Sequence, residues 1–310
     1  MSQDPLLFTF AIVNWNTREL LDQCLASIYR EAGSMSIEIL VADNGSSDGS
    51  VAMVKTKYPR VILVENRNNL GFAKGHEGLF QRSRGHYHLL VNSDVQLLPG
   101  CLEQLHRRME SDPQIGVLGC RTLDAEGHTQ SSCRRLPTLT YQLIEASGLN
   151  RLFPNHPVIN AYKLGGFDHR SSREVEQVIG ALFLIRGRLL RSLGYLDTAF
   201  HMYFEEVDYC LRVRKSGYKV FYDAEATVFH EGGGSAKKVK VLTIRRTMRS
   251  MRHYFKKHKG GWTYFPLLAI VSLDLVTHFL HALFTGGKPF LTLKAYSLAW
   301  WDLATLKKAA

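Results

Sequence analysis

The sequence predicts an α/β fold with a parallel sheet built from βαβ units, and three observations carry that prediction. Short apolar runs alternate with stretches of helical periodicity through the first hundred residues. Two of those runs end in polar turns, Asp43-Asn44-Gly45-Ser46 and Asn92-Ser93-Asp94, and ligands of open α/β sheets bind beyond the carboxyl ends of strands. At 310 residues, 45% hydrophobic and 22% charged, the chain can bury a large core, which excludes wholesale disorder.

Taken in order, residues 8–14 read as a strand, and Asn16 or Thr17 as the cap of a helix whose Leu20, Leu21, Cys24, Leu25 and Ile28 share one face. Residues 37–42 form a second strand, followed by the turn from Asp43 to Ser50, a helix to Tyr58 and a strand at 61–65. A helix over 73–84 leads to a strand at 87–91. Residues 121–174 lack periodicity and hold several prolines, so they read as an irregular region that shapes an acceptor site. A buried strand at 180–185, a helix at 206–216 stopped by Gly217, and a strand at 220–230 closed by a glycine run complete the domain.

The formal net charge is +11, yet ten Lys or Arg and no acid fall between Lys237 and Lys259. Setting those ten aside leaves 29 basic against 28 acidic residues, so a near-neutral body carries one basic docking segment. No aromatic-rich binding module accompanies that segment, so nucleic acid is not the expected partner. Five scattered cysteines without a CxxC pair fit a reducing compartment and argue against a disulfide framework or a zinc cluster. Residues 1–5 lack a basic leader, so no signal peptide is expected.

Six motifs occur in a telling order: Val13-Asn14-Trp15-Asn16, Asp43-Asn44-Gly45-Ser46-Ser47-Asp48-Gly49-Ser50, Asn69-Leu70-Gly71-Phe72-Ala73, Asn92-Ser93-Asp94, Tyr203-Phe204-Glu205-Glu206-Val207-Asp208 and His230-Glu231-Gly232-Gly233-Gly234-Ser235. Each alone is weak, but together they resemble glycosyltransferase family 2, with bacterial rhamnosyltransferases of O-antigen and other surface polysaccharides the nearest likeness. The resemblance implies a GT-A fold over residues 1–235, a Rossmann-like domain that binds a nucleotide sugar. On that likeness the donor-binding residues are Asn14, Asn16, Asp43, Asn69, Gly71, Lys74, Asn92, Ser93 and Asp94.

Asp43, at a strand end, offers a carboxylate to the N3–H of uracil or thymine, the role the family gives it; otherwise it is a turn residue. Asp48 reads as a helix cap. Asp94 resembles the second acid of the family's DxD motif, with Asn92 in place of the first, and a leaving diphosphate needs Mg²⁺ or Mn²⁺ on such a carboxylate. His230 makes up part of the ligand deficit, an imidazole suiting Mn²⁺, and the glycines after it suit a diphosphate nest. In Glu205-Glu206 the family's general base maps onto Glu206, while acids at a helix start are also favoured by its dipole. Lys74 departs from the family's Gly-Phe-Ala-Gly-Gly pattern and is read as a phosphate contact or a solvated lysine.

Beyond residue 236, Val241, Ile244, Met248, Met251 and Phe255 recur at helical spacing in a basic amphipathic helix. The apolar stretch 267–284 approaches the roughly 20 residues that span a bilayer. Its Asp274, His278 and His281 share one face, which predicts a helix lying in the interface. The segment 290–306, with Trp300 and Trp301, suits the water–lipid boundary. Residues 236–310 are therefore expected to associate with an anionic membrane surface, or else to form a helical cap on the domain. The whole reads as an inverting, metal-dependent transferase moving a sugar, rhamnose first, from dTDP- or UDP-sugar to a polyprenyl-diphosphate-linked glycan. It is expected peripherally, on the cytoplasmic face of the inner membrane. The alternatives are a non-catalytic sugar-binding module and a nucleotidyltransferase.

Overall fold

The computed structural model describes residues 6–200, 202–232, 240–285 and 289–305. Residues 1–5, 201, 233–239, 286–288 and 306–310 lie outside the described residues, and with them the leader reading, most of the glycine nest and the start of the basic run. The strands are β1 (Phe8–Asn14), β2 (Ile37–Asp43), β3 (Ile62–Glu65), β4 (Tyr87–Asn92), β5 (Val95–Leu97), β6 (Ile115–Leu123), β7 (Cys133–Arg134), β8 (Arg173–Val175), β9 (Gln177–Val178), β10 (Leu182–Arg186) and β11 (Lys219–His230). The helices are α1 (Arg18–Ala32), α2 (Ser50–Lys57), α3 (Phe72–Phe80), α4 (Cys101–Ser111), α5 (Leu139–Ser147), α6 (Leu149–Leu152), α7 (Gly187–Leu193), α8 (Glu205–Lys215), α9 (Lys240–Lys259), α10 (Tyr264–Phe284) and α11 (Pro289–Ala304).

The main sheet runs β3-β2-β1-β4-β10-β6-β11-β5, with β8 also on β11. β1 to β4 are parallel, β10 lies antiparallel to both β4 and β6, and β11 is parallel to β6. β4 and β11 therefore end at the same edge of the sheet. The pleat sends Phe8, Phe10, Ile12, Ile39, Val41, Leu89 and Val91 to one face, where Leu21, Cys24, Leu25 and Ile28 of α1 cover them. Ala11, Leu40 and Ala42 face the other way, onto Leu79 of α3. Both faces are covered, as parallel sheets require.

Local detail departs from the sequence reading in two places. Thr17 stands at the N-cap of α1, but its hydroxyl makes no cap bond; it donates to Asn14 Oδ1 at 2.7 Å. The cap comes from across the fold: Asp48 Oδ2 accepts the amide of Arg18 at 2.8 Å, while its Oδ1 accepts the amide and hydroxyl of Ser50 at 3.0 and 2.6 Å. One carboxylate thus closes the first turns of α1 and α2. The region 121–174 is not irregular throughout. Thr138 accepts the amide of Tyr141 and starts α5, and Gly148 in the left-handed region ends it, so the cap signals were present but short.

Two compact units divide the chain: Met1–Arg134 with Asp168–Thr198 and Glu206–Ser235, and Arg135–Phe167 with Ala199–Glu205 and Ala236–Ala310. The first holds the main sheet. In the second, α10 packs on α5, with the Thr277 hydroxyl donating to the Ala146 carbonyl at 2.7 Å. Asp302 of α11, 5% exposed, binds both Arg245 and Arg249 of α9 at 2.6 and 2.8 Å. The polar stripe of α10 is used inside this unit rather than displayed. Asp274 pairs with His278 at 2.8 Å, and the His278 ring stacks on Tyr296 at 4.9 Å, leaving His281 the exposed member. The helix Gly261–Phe284 is long and apolar enough to cross a membrane by length and composition.

Because Asp48 closes two helices, Asp48→Ala is expected to cost about 1–2 kcal/mol in urea unfolding, the range of a lost cap. A change below about 0.5 kcal/mol would return Asp48 to the status of an ordinary surface residue.

Candidate functional site

The polar residues of the two acidic turns gather where β1, β2 and β4 end. Asn14 and Asp43 close β1 and β2, whose register sets them side by side. Asn14 donates to Asp43 Oδ1 at 2.8 Å, and the amide of Ser46 donates to Asp43 Oδ2 at 2.8 Å. The Ser46 hydroxyl accepts from the Asn14 amide group and the Asn16 backbone at 3.1 and 2.9 Å. Asn16 holds a left-handed backbone, φ 54°, and its Oδ1 accepts the amide of Ser47 at 2.8 Å. Asp43 is 2% exposed and each of its oxygens keeps a lone-pair direction beyond the bond described.

Asn44 extends this network, and sequence reasoning passed over it. It is 1% exposed. Its Nδ2 donates to the carbonyl of Gly71 at 3.1 Å, and its Oδ1 accepts from Asn66 at 2.9 Å. Asn69 Oδ1 accepts the amide of Gly71 at 2.9 Å. Gly71 sits at φ 80°, a conformation that favours glycine. Asn69 and Gly71 thus shape the loop into α3. Lys74, one turn on, is exposed, and Gly75 lets α3 approach β1, since a Cβ there would stand 2.9 Å from Val13. Ser93 is buried and shares a hydrogen bond of 2.8 Å with Thr17, while the amide of Asn92 donates to the Ala181 carbonyl at 2.9 Å.

Asp94 and His230 meet through strand pairing. β5 begins at the residue after Asp94 and pairs antiparallel with the end of β11, His230 opposite Val95. The amide of Glu231 donates to the Asp94 carbonyl at 3.2 Å. His230 Nε2 lies 3.5 Å from Asp94 Oδ1, their side chains 13% and 10% exposed. That gap is under twice the roughly 2.1 Å ligand distance of a small divalent cation, so one ion can touch both. Another trio of ligand types, Asp124, Glu126 and His128, converges on an exposed turn. There Asp124 Oδ1 is taken up by the amides of Glu126 and His128 at 3.1 and 2.7 Å, which makes it a turn-forming residue.

Glu205 and Glu206 open α8 after two residues of left-handed backbone, Tyr203 at φ 62° and Phe204 at φ 69°. Glu205 is buried and falls in the second unit. Glu206 belongs to the first, against Gly180, where an added Cβ would come within 4.0 Å of the Glu206 Cβ. Its Oε2 is buried without a hydrogen-bond partner among the described residues. Burial raises its pKa above the ordinary carboxylate value, against the pull of the helix amides and Arg134. Asp208, fully buried, pairs with Arg212 at 2.8 Å and so serves structure.

A family model described as Glycosyl transferase family 2 matches residues 9–171. The chain is 28% identical to an N-acetylglucosaminyl-diphospho-decaprenol L-rhamnosyltransferase of Mycobacterium tuberculosis, over 80% of this chain and 83% of that one. Its fold is similar to the mannosyltransferase PcManGT of Pyrobaculum calidifontis, solved with GDP-Man and Mn²⁺, at TM-score 0.56 and 15% identity, over 99% and 89% of the two chains. It is similar also to GalNAc-T7, solved with UDP, GalNAc and Mn²⁺, at TM-score 0.58 and 14% identity, over 98% of this chain and 57% of the other. The sheet is thus the GT-A arrangement that the sequence predicts.

The raised pKa of Glu206 gives a signed prediction. Between the ordinary carboxylate pKa and the raised one, the folded state holds a proton that the unfolded state has lost. Stability therefore falls as pH rises through that window. Glu206→Gln removes this fall, so its melting temperature relative to wild type should climb as pH rises above the ordinary carboxylate range. A constant difference across the range would contradict the burial argument.

Proposed function

Because the chain belongs to glycosyltransferase family 2, and is a glycosyltransferase on that ground, we propose that it transfers L-rhamnose from a dTDP- or UDP-linked donor to a hydroxyl of a polyprenyl-diphosphate-linked glycan. The observation that carries this reading is the meeting of Asp94 and His230 at the strand ends. It is joined by the likeness to a relative whose acceptor is decaprenol-linked. Asp94 and His230 would hold Mg²⁺ or Mn²⁺, which supplies positive charge against the departing diphosphate. Glu206 takes the proton of the attacking hydroxyl on Oε2, the oxygen with no hydrogen-bond partner among the described residues, and the anomeric centre inverts in one displacement. Asp43 receives the base N3–H on its open lone pairs, held in place by Asn14 and Ser46. Asn16, Asn69, Gly71, Asn92 and Ser93 keep the turns in shape, and exposed Lys74 at the start of α3 meets the donor phosphates.

In this reading residues 1–235 carry catalysis and 236–310 attach the protein to the cytoplasmic face of the inner membrane. The basic charge of α9 is less available than its count suggests, because Arg245 and Arg249 are tied to Asp302. Among the described residues of α9 the exposed cations are Lys256, Lys257 and Lys259, beside Trp262 and Phe265 at 65% and 74% exposure. Lysines with interfacial aromatics suit an anionic bilayer surface. Leu152 and Val158 of the same unit, 73% and 68% exposed, add apolar surface from the 135–167 segment.

Two experiments test the reading. With a panel of nucleotide sugars, wild type should hydrolyse a dTDP- or UDP-hexose only with Mn²⁺ or Mg²⁺, and Asp94→Ala should reduce that rate at least a hundredfold, of the order set by one charge-stabilising group. Full turnover in EDTA would overturn the metal role. In liposome flotation, reversing Lys256 and Lys259 to Glu should free the full-length protein from anionic vesicles at low salt. Each lysine at the surface contributes about 1 kcal/mol. Retention on the vesicles would move the contact to the apolar helices.

A further inference from the structure

The His230 ring is not free to choose its tautomer. Gln130 reaches it from the hairpin beyond β6, where Gly127 at φ 80° turns the chain and the amide of Gln130 donates to the Thr122 carbonyl at 2.8 Å. The Gln130 side chain touches His230 twice: Nε2 lies 2.9 Å from the His230 carbonyl oxygen, and Oε1 lies 3.1 Å from His230 Nδ1. A carbonyl oxygen only accepts, so the amide end facing it must be the NH₂ group. The oxygen of Gln130 therefore faces the ring, and an amide oxygen only accepts, so Nδ1 must carry the proton. In the neutral ring Nε2 then presents a bare lone pair.

That lone pair faces an oxygen of Asp94 at 3.5 Å. Two acceptors turned toward each other repel unless a cation lies between them. We infer that Gln130 is a positioning residue that locks His230 as the Nδ1–H tautomer, so that Nε2 and Asp94 Oδ1 are offered together to one divalent cation. The inference rests on the metal reading of the site, and it assigns a task to a residue outside all six motifs. A partner on the far nitrogen of a ligating imidazole fixes both tautomer and ring orientation, and losing such a partner costs about 10–100-fold in metal affinity.

The test uses the full-length protein and MnCl₂ as the probe, with and without UDP. Gln130→Met keeps the length of the side chain and removes both contacts; calorimetry should show Mn²⁺ binding weakened about 10–100-fold. Long-range ¹H–¹⁵N spectra of the metal-free wild type, with the His230 signals assigned by His230→Asn, should show the Nδ1–H tautomer, and Gln130→Met should lose it. Unchanged Mn²⁺ affinity in Gln130→Met, or an Nε2–H tautomer in the wild type, would overturn the role of Gln130 and leave the metal reading standing. Wild type that binds no Mn²⁺ under either condition would remove the metal reading, and this inference with it.

Discussion

The short pairing of β5 with the end of β11 is the constraint on which the site depends. Three residue pairs, Val95 with His230, Gln96 with Phe229 and Leu97 with Val228, set two chain segments far apart in sequence into one register. A slip of one residue would send every side chain to the opposite face. Asp94 would then no longer lie beside His230. The pairing is possible because β10 enters the sheet antiparallel between β4 and β6, which leaves β11 running the same way as β4. The carboxyl edge where nucleotides bind in open sheets is thereby extended from β1 and β2 to β11.

Around that edge most motif residues bond to one another, which separates scaffold from ligand positions. Asn14, Asn44, Ser46 and Asp48 are committed to turns and helix ends. Such buried polar networks rigidify a loop when every member is satisfied. Asp94 and His230 instead face each other at 3.5 Å, and Oε2 of Glu206 is buried with no hydrogen-bond partner among the described residues, which sets these groups apart from the turn network. Family membership also sets aside the nucleotidyltransferase, which rested on a similar α/β fold, and the non-catalytic binding module.

The parallel half of the sheet was legible because strands buried on both faces leave unbroken apolar runs that end in polar turns. Residues 8–14 and 87–91 show this, and the structure extends the second by one residue to Asn92. β5 was not legible: three residues after a tight turn carry no periodicity, and their pairing partner lies more than 130 positions away. α5 was hidden for a different reason, a single turn-and-cap signal at Thr138 set among prolines. Gln130 could not be found by spacing at all, because its value comes from a hairpin that brings it to His230. Likewise the polar face of α10 reads as interfacial in sequence, yet Tyr296 of α11 claims its histidine. Periodicity tells which residues share a face, and only packing tells what that face meets.

The same limit decides how the C-terminal helices are to be understood. Tyr254 and Phe255 of α9 are 1% and 0% exposed, so one side of its last turns is core. Tyr254 packs on Phe204 at 5.6 Å, His253 on Phe200 at 4.6 Å, and Lys257 lies over the Phe200 ring at 5.7 Å. Phe200 and Phe204 belong to the segment that leads through two left-handed residues into Glu205 and Glu206. Backbone strain of that kind persists only where surrounding contacts hold it, and here α9 supplies them. A chain cut after residue 235 would lose those contacts together with any membrane anchor, and a fall in activity could not be credited to either. Charge reversal at the exposed Lys256 and Lys259 leaves Tyr254, His253 and Lys257 in place. The proposed attachment and catalysis are therefore separable on this helix by choosing the face, and not by choosing the length.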